Sequence, residues 1–200
     1  SSSTDIESYG ANDYFKTDGA ITGSGPCKSF FALHNEDAIY GLFPTGNAST
    51  PYSIQRRADR GTIARRSVVM DEAGNQMFMR RDGVYVWDGS NPPIKASGNF
   101  DGLQFWDKVN QDRLEYSFAV ENRAKNQVIF AIPYGTDQTL MNKYIVWNYK
   151  RQQWVGVFDD YTRICGAYFS GFPHFGGSGD GLLYKHNTGT NDNTAAIKSS

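Results

Sequence analysis

The chain has 200 residues, with 20 lysines and arginines against 21 aspartates and glutamates. That near balance excludes a globally basic nucleic-acid binder and an acidic solvating tail. Aromatic residues make up 14% of the chain and occur alongside 21 glycines and seven prolines, a composition suited to short strands joined by tight turns.

Residues 1–28 are polar and glycine-rich, with scattered Tyr9, Tyr14 and Phe15. They read as an extended N-terminal arm or the edge of a blade, followed by one larger unit over residues 29–200. The start has neither the basic nor the apolar region of a signal peptide. No run of about 18 apolar residues exists, so no membrane insertion by this chain is expected. The absence of an initiator Met and the polar end at Ser199-Ser200 suggest a processed product or the ordered part of a longer polypeptide.

From Ser29 the pattern sharpens. Ser29–Leu33 and Ala38–Phe43 are two predicted strands around the polar turn His34-Asn35-Glu36-Asp37, and Thr45–Pro51 is loop. Tyr52–Arg57, Arg66–Met70 and Gln76–Arg80 follow as strands. Asp82-Gly83 then predicts a two-residue hairpin turn, because such turns need the positive φ that glycine tolerates. Val84–Trp87 is a strand of residues that fit a pleated, half-buried surface. A second Asp-Gly turn opens the loop Asp88–Pro93, where two prolines that cannot sit inside a paired central strand mark a boundary.

Phe100–Val109 breaks this rhythm. Leu103, Trp106 and Val109 recur at a spacing of three, which predicts one short helix near residues 100–109. Strands resume at Arg113–Glu121, Gln127–Tyr134, Lys143–Asn148, Trp154–Phe158 and Arg163–Phe169. A glycine-rich loop over Gly171–Gly179 and a last strand at Gly181–His186 complete the reading.

About a dozen short strands at this spacing assign the chain to a sandwich, barrel or propeller. A weak repeat favours the last. Asp82–Gly89 is echoed by Asp180–Lys185 and by Lys143–Asn148, with Tyr85, Tyr144 and Tyr184 each in a strand that leads into a polar turn. Four-strand units recurring about every 40–60 residues are a propeller signature. The expected fold is therefore all-β, with antiparallel four-stranded blades forming a β-propeller or a partial propeller of about three to four blades.

Motifs for chemistry are absent. His34, His174 and His186 are far apart in loop-like positions, and no paired-histidine zinc motif exists. Cys27 and Cys165 read as unpaired packing thiols. No nucleophile elbow, phosphate loop or dinucleotide fingerprint occurs. Asp159 and Asp160 would point to opposite faces of a strand and make poor acid/base partners. Asp82, Asp88 and Asp180 sit in turns, where aspartate has a backbone role. The expectation is no catalytic residue, no metal site and no cofactor.

One stretch carries uneven charge. Between Pro51 and Arg81 stand seven arginines against three acids, an excess of four positive charges. Arg56, Arg57, Arg60, Arg65 and Arg66 form a candidate patch facing DNA or an acidic partner. The competing reading is a solvated blade edge whose charges block stray strand pairing. Trp106, Phe172 and Phe175 are candidate interface aromatics, and equally candidates for ordinary blade packing.

A resemblance rests on two groups of residues. The first runs from Arg65-Arg66-Ser67-Val68-Val69 through Gln76–Met79 to Arg81–Gly89 and Pro93-Ile94. The second is Tyr144–Tyr149, Trp154 and Leu183–Asp192. Together they resemble the β-propeller tail proteins of short-tailed bacteriophages, the hub, nozzle or packaged-DNA stabilisation proteins below the portal. The resemblance spans roughly residues 30–197, through motifs generic to propeller blades. It implies a virion structural protein, made in the host cytoplasm and located in the tail, with no catalytic site. Such a protein assembles as a homo-oligomeric ring around the DNA channel, beside other tail and connector proteins. The alternatives are a receptor- or carbohydrate-binding tail propeller and, further off, a propeller glycosidase.

Overall fold

A computed structural model describes residues 17–96, 105–177, 179, 181–186, 191–192 and 195–196. The first sixteen residues of the expected arm, Leu103 of the helical segment and Asp180 lie outside the described residues. The rest is antiparallel β-sheet, with 3₁₀ turns as the helical content of the described residues.

The first sheet is a four-stranded meander of β1 (Gly23–Cys27), β2 (Phe30–His34), β3 (Ile39–Asn47) and β4 (Thr50–Ala58). The second has the same order: β5 (Val69–Met70), β6 (Gln76–Arg80), β7 (Gly83–Trp87) and β8 (Ile94–Lys95). The third is a six-stranded meander of β9 (Phe118–Asn122), β10 (Gln127–Ile132), β11 (Met141–Asn148), β12 (Gln153–Phe169), β13 (Phe172–Gly177) and β14 (Leu183–Lys185). A two-stranded piece, β15 (Asn191–Asp192) and β16 (Ala195–Ala196), ends the chain's described part.

The sheets pack face to face in chain order, because each is apolar on the surface turned to its neighbour. Cys27, Ala32, Ile39 and Ala58 of the first sheet meet Phe78, Tyr85 and Trp87 of the second. On the opposite face of the second sheet, Met77, Met79 and Val84 meet Leu114, Val128, Phe130, Ile132, Ile145 and Trp147. Both faces of β6 and β7 are thus covered, which is why Gln76–Met79 reads as a continuous buried run rather than an alternation. Burying each large side chain contributes about 1.5–3 kcal/mol. The first strands of the three sheets lie side by side, β1 by β5 and β5 by β9, and Arg66 makes a parallel bridge to Phe118.

Several expectations are corrected here. The β6–β7 turn is made by Arg81 and Asp82, and Gly83, at φ 148°, is already the first residue of β7 paired with Arg80. Pro92-Pro93 do not end their unit, since the short fourth strand β8 follows them and pairs with β7. The expected strand from Arg113 begins instead as a 3₁₀ turn, Leu114–Tyr116, because fully buried Leu114 anchors the connection in the core. The expected helix near 100–109 is one 3₁₀ turn, Trp106–Lys108.

Trp154–Phe158 and Arg163–Phe169 are one strand, β12, whose first half pairs with β11 and whose second half pairs with β13. Its second half crosses close over β9: a Cβ on Gly166 would stand 2.7 Å from the Val120 side chain. The expected glycine-rich loop is β13, which lays Phe175 against Phe118 and Tyr144. Pro173 is tolerated because it precedes the residues of β13 that pair on both sides. His34 and His174 sit in strands rather than loops.

Candidate functional site

The arginine-rich stretch divides into two groups with different surroundings. The first lies at the rim between the first and second sheets. Arg56 pairs with Asp59 at 3.0 Å and with Asp18 at 3.6 Å. Arg57 donates to the Gly89 carbonyl at 3.2 Å and lies over the rings of Phe30 and Phe43. Arg60 lies over the ring of Tyr85. Arg80 donates through Nη1 to the carbonyls of Glu36 (2.7 Å) and Gly61 (3.0 Å), and Arg81 pairs with the Glu36 carboxylate at 2.7 Å.

The hairpin that follows is fixed by its aspartates. Tyr85 donates its hydroxyl to Asp82 at 2.7 Å. Burial, reinforced by that hydrogen bond, pushes the phenol above its usual range. The Asp88 carboxylate accepts from the backbone N–H groups of Ser90 and Asn91 and from the Asn91 amide. Those bonds hold its pKa down at about 2. Both residues act on their own turns.

The second group consists of Arg65 and Arg66, on the connection from β4 to β5. Buried Thr62 and Ser67 brace that connection: the Thr62 hydroxyl donates to the Met79 carbonyl at 2.7 Å, and the Ser67 hydroxyl donates to the Ala64 carbonyl at 2.7 Å. The 66 backbone carbonyl accepts from Ala119 N–H at 2.9 Å. The rigid connection presents both arginines outward, where they are exposed and make no ion pair among the described residues. Arg66 also donates through Nη1 to the Ile164 carbonyl at 3.1 Å, which aims its guanidinium toward the second half of β12.

Two open grooves meet at Arg66. One, of about 570 Å³, runs between the segment leading into β1 and residues Ile63, Arg65, Glu115 and Tyr116. The other, of about 280 Å³, is bounded by Arg66, Arg113, Tyr116, Thr139–Met141, Arg163 and Ile164. Arg66 and Tyr116 line both, so the two form one furrow past the starts of the first strands. Arg113 lies over the Tyr116 ring at 5.6 Å, and buried Arg163 lies over the Tyr184 ring at 3.8 Å. Glu115 is the one carboxylate on either groove's lining.

The candidate patch from the sequence is therefore not one surface. Arg65 and Arg66 line the furrow, whereas Arg56, Arg57 and Arg60 belong to the rim. Arg113 and Tyr116 were missed, because about fifty residues separate them from Arg66 and only the side-by-side first strands bring them together. The readable signal was that each pair immediately precedes the first strand of a unit. Among the aromatics, Trp106 is 7% exposed and Phe175 is fully buried. Both fill cores between strands and are corrected to packing residues. Phe172 is partly buried beneath the Lys185 ammonium, 3.6 Å from its ring centroid.

Elsewhere, the described residues hold no group of three or more His, Cys, Asp or Glu side chains placed to bind a metal ion. Burial pushes the Cys27 thiol up to about 11, while Cys165 is exposed. His34 is buried at the end of β2, with Nε2 2.9 Å from the Gln76 side-chain oxygen. The Gln76 amide nitrogen donates to the carbonyls of Gly25 and Pro26, which turns its oxygen toward His34 and fixes a proton on Nε2. Desolvation then lowers the imidazole pKa to about 4, so the ring is neutral. No helix of the described residues is long and apolar enough to cross a membrane. The chain matches no protein-family model and no curated protein.

Proposed function

We propose that this chain is a structural component of a phage tail, built from propeller-type blades and working by assembly around a DNA conduit, without a catalytic site. The observation that carries the reading is the succession of antiparallel meanders packed face to face in chain order, with their first strands side by side. Blades of a propeller follow one another in this way, each burying faces it cannot bury alone. On this reading β12 does two jobs. Its first half closes the third blade and its second half opens a further, incomplete one with β13 and β14. The arginine-lined furrow runs past the inner strands, where a propeller's axis lies, and a positive lining suits a neighbour rich in phosphate.

In this role the chain belongs to a homo-oligomeric ring beside other tail and connector proteins, and its place is the virion. The test is mass spectrometry of purified parent virions followed by a cryo-EM map of the tail. The expected result is the chain in stoichiometric, multi-copy amount, as a ring whose furrow faces the channel. Its absence from purified virions would overturn the assignment.

A further inference from the structure

The furrow has the parts of a site for a nucleic-acid strand rather than a duplex. Its two lobes, about 570 and 280 Å³, fall in or near the size range of small-ligand clefts, roughly 300–1,000 Å³. That is room for one or two nucleotides, and too little for a double helix to enter.

The chemistry is divided between the lobes. Glu115 lines the larger one, and its carboxylate repels a phosphate there. The smaller lobe has no carboxylate on its lining and is bounded by Arg66, Arg113 and Arg163. Guanidinium groups present paired N–H donors that match phosphate oxygens. Between the lobes stands Tyr116, which is 43% exposed although Arg113 lies over its ring. A partly exposed aromatic ring next to arginines is how sequence-tolerant single-strand binders seat a base while tracking the backbone.

We propose that the furrow binds single-stranded nucleic acid, with Arg66 and Arg113 taking backbone phosphates and the Tyr116 ring stacking on a base. The inference rests on reading the furrow as the nucleic-acid-facing side of the molecule. It does not require the ring.

The experiment is fluorescence anisotropy of the 200-residue chain with a labelled oligothymidylate of about 12 nucleotides, within the range of single-strand sites. The same sequence annealed to its complement is the comparison, between 50 and 200 mM salt. The single strand should bind at least about tenfold more tightly than the duplex. Arg66→Ala with Arg113→Ala should reduce the slope of log affinity against log salt by about 1.4, as expected for two lost single-strand phosphate contacts. Tyr116→Ala should weaken binding about tenfold, and Tyr116→Phe should restore it, since stacking needs the ring and not the hydroxyl. Arg56→Ala with Arg57→Ala should leave affinity within about twofold. Equal or tighter binding of the duplex would overturn the proposal. So would an unchanged salt slope, an inert Tyr116→Ala, or an equal loss from the rim pair. Should the chain be absent from virions while this binding pattern holds, the tail role falls and the furrow's role stands.

Discussion

Two sets of arginines, drawn from one basic stretch of sequence, end in opposite circumstances. At the rim between the first two sheets, Arg56, Arg57, Arg80 and Arg81 are committed to carboxylates, carbonyls or rings of the fold. At the furrow, Arg65 and Arg66 are held outward on a braced connection and joined by Arg113. A charge counted along the sequence is therefore not a charge available to a partner. A guanidinium that caps backbone carbonyls supports the fold, and only one with unused donors attracts a ligand.

The largest test of this contrast is charge reversal of each set. Arg65→Glu, Arg66→Glu and Arg113→Glu together should lower affinity for a single-stranded oligonucleotide by roughly 10²–10³-fold at 50 mM salt, given three phosphate contacts. Reversing Arg56, Arg57 and Arg60 should change it by less than about threefold and lower the melting temperature instead. Equal effects in a binding titration would erase the distinction. Next in size is Arg80→Ala, which strands two carbonyl acceptors on the Glu36 and Gly61 backbone. It should cost about 2–3 kcal/mol by urea denaturation and leave oligonucleotide affinity unchanged.

Acid should separate the same two regions. The His34 pKa is lowered from 6.5 to about 4 by burial. Below pH 6.5 the unfolded chain takes up a proton that the folded chain refuses, so stability is full above about 6.5 and falls steadily toward pH 4. At pH 5 the loss is about 2 kcal/mol, and His34→Gln should flatten that part of the profile. Arginines do not titrate in this range, so the furrow's affinity should stay constant while stability declines. A wild-type urea midpoint that is level between pH 7 and 5 would refute the assignment to His34.

The sequence made some of this legible and hid the rest for physical reasons. Strands with strong β-formers and marked turns, such as Val84–Trp87 between two Asp-Gly pairs, could be read directly. The second half of β12 and all of β13 could not. Asp159-Asp160 looks like a break, yet β12 changes partner there without ending, and Lys143 meets the Asp159 carboxylate. Phe172–Gly177 carries proline and glycines that local preference assigns to loops, and tertiary packing of Phe175 overrides that preference. The furrow was half visible. Arg65 and Arg66 stood out by charge, but Arg113 and Tyr116 join them only through sheet stacking, which no local pattern encodes.

The smallest expected effect concerns the turn that serves the rim. Arg57 donates to the Gly89 carbonyl, and that carbonyl is placed by the Asp88 turn. Asp88 titrates in the opposite sense from His34. Its carboxylate, held down at about 2 by three hydrogen bonds, contributes stability that is complete above the ordinary value near 3.8 and is lost as pH falls toward 2. The group is partly exposed, so solvent screening keeps the contribution to on the order of 1 kcal/mol or less. The windows barely overlap, because His34 adds no further slope once both states are protonated below pH 4. Asp88→Asn keeps an oxygen to accept from the backbone but carries no titrating charge. Between pH 4 and 2 it should therefore lose less stability than the wild type, while the two decline in parallel between pH 6.5 and 4. Identical profiles in the lower window would mean that the charge on Asp88 does not hold the turn, and that shape alone places the Gly89 carbonyl for Arg57.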